Sequence, residues 1–294
     1  MQTPRLISLY LILLSVLPGQ AIGQSTGGSF LTFDQFFQNY ALFNPASEDT
    51  SGRFALRIGN SALYGLFEGV NRRYFDLDFK PGNRKALSYS KIGILVQSNN
   101  DGPFIKRSRY YGRYSRTIAI GNEQYISVGL ALGAVSLTLQ GSQSVGGGTS
   151  TAIDGYAGIW YHIKQLRLGA SVEQFTQSVL TPIQQHFRLE PALNFNAIYS
   201  LDLSPSITMH NHLYFRKETS VPGSFEYAPV LILAEVIQAG TNFKFQRGIA
   251  IMLGVNAHTL EYGTLSFMGS FLIGTRKLST SADNKFEITG RYSF

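Results

Sequence analysis

Apolar and polar residues alternate along most of this 294-residue chain. In GRFALRIG, Phe54, Leu56 and Ile58 fall opposite Arg53 and Arg57, and in YFDLDF, Phe75, Leu77 and Phe79 oppose Tyr74, Asp76 and Asp78. QLRLGASVE sets Leu166, Leu168, Ala170 and Val172 against Gln165, Arg167, Ser171 and Glu173. The final segment, KFEITGRYSF, sets Phe286, Ile288, Gly290, Tyr292 and Phe294 against Lys285, Glu287, Thr289, Arg291 and Ser293. Successive side chains of a strand point to opposite faces, so each segment predicts a strand with one oily and one wet side. Gly, Asn, Pro and Ser clusters separate them as turns. About fourteen strands follow: 52–60, 71–80, 88–98, 104–118, 123–139, 151–163, 165–174, 185–200, 206–217, 224–235, 237–246, 248–257, 263–275 and 285–294.

Two all-β architectures alternate in this way. A soluble sandwich turns its oily face inward. An outer-membrane barrel turns it outward to lipid, keeps a polar lumen, and has an even strand number with aromatic girdles. An amphipathic strand carried to the last residue, Phe294, suits a barrel, because the last strand must pair with the first near GRFALRIGN. The expected fold is a transmembrane antiparallel β-barrel of about 14 strands over 51–294 with both termini periplasmic. PGNRK (81–85), GNE (121–123) and HIKQ (162–165) then become short inner turns. SALYGLFEGV (61–70), SNNDGP (98–103), GSQSVGGGTS (141–150), QFTQSVLTPIQQ (174–185) and TRKLSTSADN (275–284) become outer loops.

The N-terminus has a different pattern. Arg5 precedes an apolar run from Leu6 to Leu17, and small residues follow at Ala21 and Gly23. This is the layout of a secretory signal peptide over 1–23, too short to cross a bilayer as a helix. The composition agrees with an exported barrel: no cysteine, 13% aromatic residues, thirty glycines and only 15% charged residues. No later segment holds the long apolar run of a membrane helix. The formal net charge of +7 points, in an exported chain, to a polyanionic envelope or a charged lumen rather than to nucleic acid.

Catalytic constellations are missing from the sequence: there is no HExxH, GxSxG or P-loop, and GSQSVGGGTS lacks the lysine and the strand-to-helix setting of a phosphate cradle. No cofactor or metal is assigned. His210 and His212 share a strand face, as do Asp76 and Asp78, but each pair fits a polar lumen stripe better than a metal site or an acid–base pair. The arginines are more suggestive. Arg107, Arg109 and Arg113 share one parity, and with Arg53, Arg57, Arg167 and Arg188 they would form a basic patch inside the barrel. Asp76, Asp78, Glu173 and Glu190 offset it in part. Such charges either pair across strands and fill the lumen, or grip a carboxylate-bearing partner with their planar forks. Arg116 falls on the lipid parity and belongs near an interface or after a bulge.

The segment FDQFFQNYALFNPASEDTSGRFALRIGNSALYGLF resembles the start of the PorP/SprF family, outer-membrane barrels of the type IX secretion and gliding apparatus of Bacteroidota. The resemblance rests on Gln38, Tyr40, Asn44, Pro45 and Ala46, although Ser47 and Glu48 replace the family's usual Ala-Gly. KIGILVQSNNDGPFIKRSRYYGRYSRTIAIGNEQYISVGLALGAV looks like the family's middle, and LRLGASVEQF and FRLEPALNF look like its later strands. Tyr292 and Phe294 resemble the C-terminal signal by which outer-membrane barrels are recognised for insertion. The resemblance implies a non-enzymatic outer-membrane protein that helps export a large surface adhesin and anchors it by its C-terminal domain. Machinery members would instead bind periplasmic ring lipoproteins, and lipid or lipopolysaccharide would surround either kind. The alternatives are an anion-favouring porin and a lipid-modifying enzyme, the latter disfavoured by the lack of a Ser-His pair on adjacent strands. Asn44-Pro45 forbids helix before the proline. Segment 24–50 is expected to be a periplasmic or plug-like stretch: either FNPA aims the chain into the first strand, or Asp34–Pro45 tucks under or into the barrel as a plug or partner contact.

Overall fold

A computed structural model describes residues 33–48, 52–64, 69–82, 88–141, 146–245, 247–259, 263–274 and 284–294. The signal-peptide segment 1–23 and most of TRKLSTSADN lie outside the described residues. Strands β1 (Phe54–Leu63), β2 (Asn71–Phe79), β3 (Tyr89–Asn100), β4 (Ile105–Gly121), β5 (Gln124–Leu139), β6 (Gly148–Ile163) and β7 (Leu166–Glu173) form the first half of the wall. A two-residue-per-arm hairpin, β8 (Val179–Leu180) with β9 (Phe187–Arg188), interrupts it. The wall resumes with β10 (Ala192–Ser204), β11 (Ile207–Glu218), β12 (Ser224–Leu233) and β13 (Ile237–Lys244). It ends with β14 (Gly248–Thr259), β15 (Gly263–Gly274) and β16 (Lys285–Ser293).

Fourteen of these strands pair antiparallel with their neighbours, and β1 pairs with β16, so the barrel is closed. The seam is continuous from Ala55 opposite Ser293 to Leu63 opposite Lys285. Phe294 extends it: its N–H donates to the Phe54 carbonyl at 3.1 Å, and its own carbonyl accepts from Arg53 and Phe54 at 2.6 and 3.0 Å. The terminal aromatic therefore completes the ring, with its side chain 5.1 Å from that of Phe54.

The alternation in the sequence becomes two opposite surfaces. Ile58, Phe75, Ile94, Leu132, Phe195, Phe243, Leu253 and Phe286 face outward and are exposed, as a lipid-facing wall requires. Arg57, Asp76, Asp154, Asn194, Asn242 and Glu287 face inward and are buried. Arg116 lies on the outer face near the end of β4, where its Nη1 donates to Ser90 Oγ at 3.1 Å. The turns at 121–124, 163–166, 204–207 and 233–237 are short and lie at the end holding the chain's C-terminus, whereas the long 173–192 connection lies at the other. By the rule that such barrels keep short turns inside, the end of the short turns is periplasmic.

The expected strand over 185–200 is corrected. Pro191 has no N–H to give a ladder, so the wall strand starts after it, at Ala192. Phe187 and Arg188 instead fold back in the β8–β9 hairpin. Leu180 and Leu189 of that connection are buried with Val135 and Leu137, an apolar stretch on the inner wall of β5. The outer loop after β7 thus turns inward and covers that stretch. Strands β4, β5 and β6 hold 17, 16 and 16 residues, well beyond the ~10 that a tilted membrane strand needs.

Candidate functional site

The lumen of the barrel is occupied by the chain's own N-terminal segment. Residues 33–47 are all buried, and they include two short 3-10 turns, Phe36–Gln38 and Tyr40–Leu42. Local chemistry shapes this segment. Asn39 Oδ1 caps the second turn by accepting from the Ala41 N–H at 3.2 Å. Asn44 Oδ1 accepts from the Ala46 N–H at 3.0 Å, folding Asn44-Pro45-Ala46 into an Asx turn. The other side of the Asn44 amide donates to the Ile159 and Ala170 carbonyls of β6 and β7, at 3.1 and 3.3 Å.

Two glycines make room for this turn. A Cβ at Gly129 would stand 2.5 Å from the Ala46 nitrogen, and one at Gly158 would collide with the Asn44 amide. The Asn-Pro-Ala phrase and the glycines of β5 and β6 are one device: the wall is smooth where the turn presses on it. Ser171 Oγ and Tyr156 hydroxyl hold the segment from the same side, donating to the Phe43 and Ala41 carbonyls at 2.7 and 2.9 Å.

Aromatic contacts with β2, β6 and β11 pack the segment further. Phe36 stacks on Tyr214 at 5.3 Å, Phe37 on His212 at 4.7 Å, and Tyr40 meets Trp160 edge-on at 5.3 Å. Phe33 meets Tyr74 edge-on at 4.8 Å. The His210–His212 stripe is lumenal, and His212 Nδ1 lies 2.7 Å from the Tyr40 hydroxyl. Among the described residues no group of three His, Asp or Glu side chains is arranged to hold a metal.

Three ionic clusters line the lumen, and the first two tie segment to wall. At β12, β13 and β16, Asp34 sits between Lys244 and Lys285 at 2.6 and 2.7 Å, while Glu287 accepts the N–H groups of Asp34 and Gln35 at 2.9 and 2.8 Å. Burial alone would raise the Asp34 carboxyl, but the two ammonium groups outweigh it and hold the carboxyl below its ordinary value. At β1–β4, Arg57 reaches Asp76 at 2.6 Å and Asp78 at 3.0 Å, and Arg113 reaches the same pair at 2.5 and 2.7 Å. Lys91 joins them, 3.5 Å from Asp78 and donating to the Ser47 carbonyl at 2.6 Å. At β4, β7 and β11, Glu173 accepts from Arg109 at 2.8 Å and also binds Arg216, which pairs with Glu218 at 2.9 Å.

The seven arginines expected to form one basic patch therefore separate. Arg57, Arg109 and Arg113 are lumenal, buried and matched by carboxylates. Arg107 bridges to Asp101 at 3.1 Å in the loop after β3. Arg53 stands exposed at the periplasmic rim, 5.4 Å over the Phe79 ring. Arg188 is on the exposed β8–β9 hairpin, donating to Gln177 at 2.7 Å, because Pro191 ends the strand that would have carried it inward. Arg167 faces a cavity at the periplasmic mouth.

A family model for the type IX secretion system membrane protein PorP/SprF matches residues 26–292. The chain belongs to the PorP/SprF family. Family membership and the closed 14-strand barrel together place it in the outer membrane. The P. putida toluene transporter TodX is similar with a TM-score of 0.54 at 10% identity, over 86% of this chain and 93% of that one. A Pseudomonas aeruginosa FadL homologue is similar with a TM-score of 0.50 at 8% identity, over 85% and 93% of the two chains. At such identities the likeness is one of fold. Among curated protein sequences none matches.

Sequence reasoning identified the Asn44-Pro45-Ala46 motif and the possibility that the segment enters the barrel. It missed Asp34, Lys244, Lys285, Glu287 and Lys91 as its fastenings. The available signal was parity: Lys285 and Glu287 lie on the wet face of the last strand, and Lys244 falls on the wet face of its own.

Proposed function

We propose that this PorP/SprF barrel serves the type IX system as a docking partner. It helps export a large secreted adhesin and then holds it at the cell surface through the adhesin's C-terminal secretion domain. The observation that supports a docking role is the filled lumen. Residues 33–47 occupy the interior, and the hairpin after β7 covers the inner wall at the outer end. A diffusion channel needs an open aqueous path, and the anion-favouring porin reading also loses its charge filter, since Arg57, Arg109 and Arg113 are neutralised in place. A lumen filled in this way supports binding over diffusion. The long β4–β6 wall and its hairpin give the outer face a raised edge on which a surface domain can rest.

A second reading, attachment to periplasmic ring lipoproteins and other type IX components, is favoured by the cavity at the periplasmic mouth. Affinity capture of the tagged protein from native outer membranes, with mass spectrometry of what co-purifies, separates these roles. A large protein with a type IX C-terminal domain is the expected companion. Periplasmic lipoproteins alone would assign the machinery role. A lone barrel that conducts steadily in planar bilayers would refute both.

A further inference from the structure

We propose that the lipid-facing side of β1–β4 holds a phosphorylated membrane lipid at its outer end, with the lipid's phosphate between Arg73 and Lys106. The outward residues of these strands change character at one row of the ladder. Ile58, Phe75, Val96 and Tyr110 stand side by side and are exposed and apolar. One outward position nearer the outer end, the row is Asn60, Arg73, Ser98 and Ser108. Beyond it come Asn71, Asn100 and Lys106. An outward apolar band ends where the hydrocarbon ends. Arg73 and Lys106 therefore lie at the level of the headgroups, above an apolar shelf that includes two aromatic rings.

Both cations are available to an anion. Arg73 and Lys106 are exposed, face away from the lumen and make no ion pair among the described residues. Arg73 is steadied by Asn60, whose Oδ1 accepts from its Nε at 3.2 Å, and its two terminal nitrogens have no partner among the described residues. Asp101, in the loop beside Lys106, is engaged by the inward-facing Arg107 and Arg72 at 3.1 and 3.8 Å. Arg73 stands opposite Ser98, and Lys106 opposite Asn100, so only β3 separates them. Two strand spacings put their backbones about 10 Å apart across the sheet, a gap that both long side chains can close over one phosphate. The arginine fork suits phosphate, and basic clusters at a membrane surface draw anionic headgroups. A free phosphate would leave the shelf unused, whereas a lipid also lays its chains on Phe75, Val96 and Tyr110. This site is on the lipid-facing wall and stands whether or not the barrel holds an adhesin.

The test uses the full-length barrel, delipidated in a non-ionic detergent and titrated with diphosphorylated lipid A, with the phosphate-free form of that lipid as the control. Native mass spectrometry counts the lipids retained. The expected result is saturable retention of lipid A, with the phosphate-free form held at least tenfold more weakly. Arg73→Gln combined with Lys106→Gln should weaken binding of lipid A at least tenfold. Arg116→Gln removes an outward charge near the periplasmic end of β4 and should bind as the wild type does. All three side chains are exposed, so the variants should keep the wild-type circular dichroism. Absence of saturable retention, equal retention of the phosphate-free form, or binding undiminished in the double variant would overturn the inference. An equal loss in Arg116→Gln would overturn it in favour of attraction by overall charge. Displacement of lipid A by equal concentrations of inorganic phosphate would overturn it in favour of a small-anion site.

Discussion

The fastening of the N-terminal segment at Asp34 can be tested by removing one carboxylate. In Asp34→Ala, two ammonium groups that stood 2.6 and 2.7 Å from that carboxylate lose it inside the barrel. Breaking a buried ion pair from one side costs about 3–5 kcal/mol. Lys244 keeps Glu226 at 3.4 Å and Lys285 keeps Glu287 at 3.7 Å, which places the loss at the lower end, about 3 kcal/mol by the same principle. At 1.36 kcal/mol per tenfold, this raises the population of barrels with a displaced segment roughly a hundredfold. The chain has no cysteine, so Ser47→Cys supplies one clean reporter. Ser47 is buried, and its hydroxyl has no hydrogen-bond partner among the described residues, so the thiol replaces it at little cost. When opening and reclosing are fast relative to modification, the rate of maleimide labelling tracks the open population. Labelling of Ser47→Cys should be slow, and in the double variant with Asp34→Ala about a hundred times faster. Rates within threefold of each other would refute the assignment of Asp34 as a fastening.

Three further outcomes follow from the same geometry. Acid should loosen the segment without mutation. The charge of Asp34 stabilises it fully above the ordinary carboxyl value of 3.8 and ceases to do so as pH falls through its depressed value, so planar bilayers should stay silent from pH 7 to 5 and show openings only in strong acid. Gly129→Val should press the Asn44-Pro45-Ala46 turn off the wall and speed labelling at Ser47→Cys, with the barrel's circular dichroism unchanged; unaltered labelling would count against the fit. Leu189→Ala removes a buried side chain of the outer connection at a cost of about 2–5 kcal/mol, and faster hydrogen exchange over 178–189, with β5 and β6 unaffected, would confirm the local cover.

The barrel was legible in the sequence because a lipid-facing wall imposes a period of two, and strands such as β1, β2 and β4 repeat it. Closure was legible because Phe294 continues that period to the last residue. The partition of the arginines was not, since parity gives the face of a side chain and not its neighbour across the ring. Arg113 shares a face with Arg109, yet it meets Asp76 and Asp78 of β2, while Arg109 meets Glu173 of β7. The break at Pro191 was visible as a proline but was outweighed by the alternation on both sides of it. The glycines of β5 and β6 carried no positional signal in the sequence; only the fold shows that they face Ala46 and Asn44.

The fastenings of the N-terminal segment also order events in time. Asp34 and Gln35 meet Glu287 across sequence separations of 253 and 252 residues, and Lys285 lies on the same final strand. Half of the socket for Asp34 and Gln35 is thus made by β16, the wall strand most distant from them in sequence. Contacts so distant in sequence carry the largest loop-closure entropy and form late. The Asp34–Gln35 end can be fastened only once β16 is in place, so a fully seated segment marks a finished barrel. A barrel with an open seam would have an unlocked interior, distinguishable from the finished one by any factor that probes the lumen.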